Sequence, residues 1–214
     1  FAIPICAFIA DEVEVQRDQF LRINNSRPLP RGLITELLPE ISSSLPPKLA
    51  VRRIPAAVCD LLNRDRKSPF YEIIQRASTP PEKKKQAVVT DTVVIKMIED
   101  SLTHTSGCLF PFRNVATGEC DNEGILGTLT VYWSAVRDTF PDAWGLRSTK
   151  SRLMHGVGIR SMGKLMDRVM SQVDYRDPKA KTKIMRELNK ISGLCRWTSG
   201  HWEDLDDIPW NAFQ

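Results

Sequence analysis

The stretch "QRDQFLRINNSRPLPRGL", residues 16–33, sets Arg17, Arg22, Arg27 and Arg31 beside the adjacent pair Asn24 and Asn25. A guanidinium is a planar fork that meets phosphate or carboxylate through two bonds at once, which makes this stretch a candidate anion contact. On a helix Gln16, Arg17 and Phe20 fall within one turn, and Asn24 lies about two turns beyond Arg17 on one side. A blander reading stays open: Asn24 and Asn25 close the helix and Pro28 and Pro30 fix its exit. The arginines then face water or pair with Glu12, Glu14 and Asp18.

Three other places repeat the ambiguity. "VRRIP" puts Arg52 and Arg53 ahead of a helix, and "EKKK" at 82–85 is a cation cluster in a proline-containing loop. Either is a counterion-releasing contact for nucleic acid or a solvated face. In "SRLMHGVGIRSMGKLMDRVM", residues 151–170, the glycines Gly156, Gly158 and Gly163 stand close together. A helix beginning near Gly156 would turn free amides, with Arg152, His155 and Arg160, toward an anion. A continuous helix would instead use the glycines to admit a neighbouring helix. The spacing GxxxxGK[ST] of a phosphate-binding loop is absent.

Other chemistry finds less support. His104, His155 and His201 are widely separated with no HExxH pattern, and no nucleophile elbow occurs. The cysteines Cys6, Cys59, Cys108, Cys120 and Cys195 are odd in number and form no CxxC pair, so a reducing cytosol fits best. The carboxylates of "HWEDLDD" are either a partner's docking face or a solubilising device for the tryptophan-bearing tail.

These residues must be carried by an almost entirely helical chain. "FAIPICAFIA", residues 1–10, reads as a buried strand that needs neighbouring strands, which points to a fragment or processed product. Pro4 interrupts it, and it is about half the length of a membrane span. Asp11 is expected to cap a helix with an imperfect stripe of Val13, Phe20, Leu21 and Ile23, and residues 31–38 to form a short helix ended before Pro39. After a linker come two helical pieces separated near Pro55, then a short helix at "SPFYEIIQR" and an exposed loop at "STPPEKKKQ".

Helical spacing recurs in Val94, Met97, Ile98 and Leu102, in Ile125, Leu129, Trp133 and Val136, and in Ile184, Leu188 and Ile191, the last set after an Asp177–Pro178 start signature. Between the first two sets lies a long irregular insertion. The tail with Trp197, Trp202 and Trp210 reads as a wrapped cap. The fold class is therefore mainly α, a helical body behind one strand. A net charge of +4 over 214 residues, with pI ≈ 8.8, is too mild for a protein that coats DNA, so any polyanion grip is local.

The succession "FAIPICAFIADEVEVQRDQFLRINNSRPLPRGLITELLPE", then "SPFYEIIQRAS" and "SRLMHGVGIRSMGKLMDRVM", resembles the DGQHR-domain proteins of bacterial DNA-modification and defence systems. The resemblance implies that residues 1–40 are the carboxy-terminal part of a DGQHR domain of ParB/sulfiredoxin-like fold, and 41–214 a helical domain. The Asp-Gly-Gln-His-Arg signature, which precedes the strand in that family, is absent here, so one wall of a nucleoside-triphosphate site is all that is implied. Gln16, Arg17, Asn24, Asn25 and Arg27 match the family's helix and would be its polar or phosphate-facing residues. The expected function is DNA association within a modification or restriction system, with nucleotide hydrolysis or regulation left open and other DNA-modification proteins as partners. The rival expectation is a non-catalytic helical interaction module; an independent enzyme is a third.

Overall fold

The computed structural model describes residues 12–23, 31–40, 47–114, 119–203 and 206–212. Its architecture is mainly helical: α1 (Val13–Ile23), α2 (Arg31–Leu37), α3 (Pro47–Arg64), α4 (Asp91–Thr103), α5 (Asn122–Thr139), α6 (Gly156–Met170) and α7 (Ala180–Ser192). Two short strand pairs accompany them. β1 (Ile74–Gln75) runs parallel to β2 (Val89–Thr90), with Ile74 opposite Val89, and β3 (His201–Trp202) runs antiparallel to β4 (Ile208–Pro209). The expected first strand and the Asp11 cap lie outside the described residues.

Helical spacing placed the core helices well. Val94, Met97, Ile98 and Leu102 of α4 and Ile125, Leu129, Trp133 and Val136 of α5 are all buried. Asp121 caps α5 by accepting from the Gly124 amide at 2.9 Å. α5 supplies the centre of the core, where Trp133 meets Phe70 at 5.2 Å, Tyr132 at 5.6 Å and Trp144 at 6.0 Å between ring centroids. Tilted and edge-on contacts of this kind add to simple burial. α4 packs on α3 and α6, and α7 packs mainly on α5.

Three expectations are corrected. The two helical pieces around Pro55 are one continuous helix with Pro55 inside it. An interior proline costs a helix about 3 kcal/mol, but Ala56, Val58, Cys59 and Leu62 bury one whole face of this helix and offset the loss. "SPFYEIIQR" is not a helix: turns lead to β1, Glu72 adopts φ 56°, and the Asn63 side chain accepts from the Ile74 amide at 3.0 Å. A side chain eleven positions away thus outcompetes local helix propensity. Finally, residues 31–38 do not stop cleanly before Pro39, since α2 tightens into a 3-10 turn over Leu38–Glu40, with Leu38 wholly buried.

The loop 81–86 is exposed, as its composition implies. The insertion after α4 is irregular, with a 3-10 turn at Phe110–Phe112 and a bridge between Arg113 and Cys120. The tail wraps the body. Arg152 donates from its backbone to the Trp197 carbonyl at 2.8 Å and from its side chain to the carbonyls of Trp210 and Asn211, so this arginine holds the tail.

Candidate functional site

A groove of about 720 Å³ opens where α3, α4 and α6 meet. α3 contributes Leu49, Val51 and Arg52; α4 contributes Thr92, Val93, Lys96 and Glu99, a stripe repeating every three or four residues; α6 contributes Arg160. The N-terminus of α6 lies close against α4, because a Cβ on Gly156 would come within 3.2 Å of the Val93 side chain. Two arginines 108 positions apart, Arg52 and Arg160, are thereby brought to one cleft with Lys96 between them.

The charges alternate. Arg52 pairs with Glu99 at 3.7 Å, Lys96 with Glu99 at 3.3 Å and Asp100 at 2.8 Å, and Arg160 with Asp100 at 3.7 Å. The hydrogen bond from Lys96 to Asp100 raises the lysine pKa and keeps it charged. Arg52 and Glu99 are half-buried in this network, whereas Lys96 and Arg160 are exposed, and exposed pairs contribute about 0–1 kcal/mol each.

His155 sits just before α6 and caps it, its Nδ1 accepting from the Val157 amide at 3.3 Å. Partial burial, and then the Arg152 charge, lower its pKa. Both readings of the glycine-rich stretch hold a part of what is observed: the helix does begin at Gly156, and Gly163 admits Met97 of α4.

Of the other predicted site residues, none of those whose side chains are described lines this groove. Gln16 is exposed on α1, and Arg17 of α1 is ion-paired with Glu40, a partner outside the expected set of Glu12, Glu14 and Asp18. Asn24, Asn25 and Arg27 lie outside the described residues, and of Arg31 only its place at the head of α2 is described. Arg53 is exposed on α3.

Two polar joints hold the helices that form the groove. In the first, Arg76 joins Glu36 of α2, at 3.5 Å, to Asp60 of α3, and Glu36 also accepts from the Ser78 amide and hydroxyl at 2.9 Å each. Asp91 lies nearby, almost wholly buried, with Oδ1 accepting from the Thr92 amide at 2.5 Å and Oδ2 without a partner. In the second, Asp167 of α6 accepts from the Ser101 hydroxyl at 2.5 Å and the Cys108 amide at 3.0 Å. Burial pushes the Cys108 thiol up to about 12 and that of Cys195 to about 11, and drives Cys59 up as well, so these sulfurs stay protonated and are poor nucleophiles. Both joints position helices.

Lys96 escaped the sequence reading because it stands on α4 as an ordinary outward lysine; only the approach of α3 and α6 gives it neighbours. Among the described residues no group of three or more His, Cys, Asp or Glu is placed to hold a metal ion, and no helix is long and apolar enough to cross a membrane. No known protein family, curated protein or solved structure matches the chain.

Proposed function

We propose that this chain is a DNA-associated component of a bacterial DNA-modification or restriction system, built as a helical body behind the end of a DGQHR/ParB-like domain. The observation that carries the reading is the convergence of Arg52 and Arg160, with Lys96, on one groove beside the start of α6. Phosphate contacts of this kind fix position on a duplex and carry no base information by themselves. The sequence likeness supplies the setting and leaves a nucleoside triphosphate as the candidate cofactor. The test is fluorescence anisotropy of duplex DNA with the chain and with R52A/R160A. The variant is expected to lose about tenfold in affinity, a change of 1.4 kcal/mol; identical curves would contradict the reading.

The alternative is a non-catalytic helical interaction module, and a specific observation favours it: Glu99 and Asp100 already neutralise much of the groove. It predicts no measurable DNA affinity at physiological salt.

A further inference from the structure

A second groove, of about 650 Å³, lies on another part of the surface, between α6 and α7. It exists because α7 packs against α5 and touches α6 only lightly, so the two helices leave a wedge between them. Its floor is aliphatic: Leu165 and Val169 of α6, Val173 just beyond that helix, and Ile191 of α7. Its rim carries four cations and one carboxylate, Glu187. Arg168 lies on the α6 side, and Lys183, Arg186 and Lys190 follow one another along one stripe of α7. Lys183 is paired with Asp177 at 2.6 Å and Lys190 with Glu187 at 2.5 Å. Arg168 and Arg186 are exposed and, among the described residues, make no ion pair.

We propose that this groove docks an acidic amphipathic helix of a partner protein. An aliphatic floor between two helices receives apolar residues spaced at i, i+3, i+4 and i+7. Two unpaired guanidiniums at its sides then meet carboxylates flanking that stripe, each through a planar fork. Single-stranded nucleic acid fits less well, because no aromatic ring is found among the described residues lining the groove, so unstacked bases have no platform. The proposal is independent of whether the groove between α3, α4 and α6 meets DNA.

The experiment is fluorescence anisotropy with the full chain and a labelled helical peptide of roughly 18 residues, leucines on one face and glutamates on the others. A scrambled peptide of the same composition serves as the control for charge alone. The amphipathic peptide is expected to bind saturably, at least about tenfold tighter than the scrambled one. R168A/R186A should weaken it about tenfold, as expected for arginine anchors, whereas R52A/R160A should leave it unchanged. The charge-reversed R168E/R186E should in turn prefer the same peptide with lysine in place of glutamate, a gain that damage to the fold would not produce. Equal binding of both peptides, indifference to R168A/R186A, or displacement of the peptide by duplex DNA through the same arginines would overturn the proposal.

Discussion

Asp91 opens α4 in a position where an acid is favoured by the helix end, yet burial is the stronger influence and raises its pKa. A carboxyl whose folded pKa lies above the unfolded one adds stability at low pH and loses it as pH rises through the folded pKa. Asp91→Asn keeps an oxygen for the Thr92 amide and removes the charge, so its thermal midpoint should exceed that of the wild type at pH 7, with the gap closing toward pH 4. A gap that stays constant with pH would contradict this. His155 has the opposite sign of pH dependence. Its folded pKa is lowered and its cap needs an unprotonated Nδ1, so the stability it adds is present above pH 6.5, the unfolded value, and is lost as pH falls below it. His155→Asn should keep the cap and flatten the change between about pH 7 and pH 5, while His155→Ala should cost about 1 kcal/mol at pH 7.5 in chemical denaturation. At this scale the sequence was half legible. Arg52, Arg160 and His155 stood out by type and neighbourhood, but Glu99 and Asp100, which pair with the two arginines, came from α4.

The helices themselves were more legible than their boundaries. Apolar residues every three or four positions marked α4, α5 and α7 because each buries one face against the same core, and periodicity reports that directly. Pro55 and "SPFYEIIQR" were misread for a common reason, since distant partners overrode local preference in both: the packed face of α3 in one, the Asn63 side chain and strand β2 in the other. Glycine in α6 is the sharpest case. A Cβ on Gly163 would collide with the Met97 side chain of α4, and one on Gly158 would collide with the Arg152 carbonyl. Gly163→Ala and Gly158→Ala should therefore destabilise the fold by about 1–3 kcal/mol despite the better helix propensity of alanine, the second by more because backbone cannot rotate away. An unchanged or raised denaturation midpoint for Gly158→Ala would show that α6 does not sit as tightly as described.

Among the described residues, two grooves flank α6, and neither was visible in the composition. A net charge of +4 is spread over many paired ions, and the local surplus arises only where helices converge. The α6–α7 groove went unread because its cations are divided between two helices, each of which looks like an ordinary solvated face. The mainly α architecture was legible throughout, whereas the ParB-like setting rests on the likeness of the amino-terminal stretch. What separates a DNA-associated body from an interaction module is counterion release, because Arg52, Lys96 and Arg160, if they neutralise phosphates as proposed, would release counterions from DNA in proportion to their number. The direct measurement is the slope of log affinity for duplex DNA against log salt concentration, for the wild type and for R52A/R160A. The account predicts a wild-type slope of roughly −3 that becomes shallower by about 2 in the variant. Two parallel lines, or no binding at low salt, would contradict it.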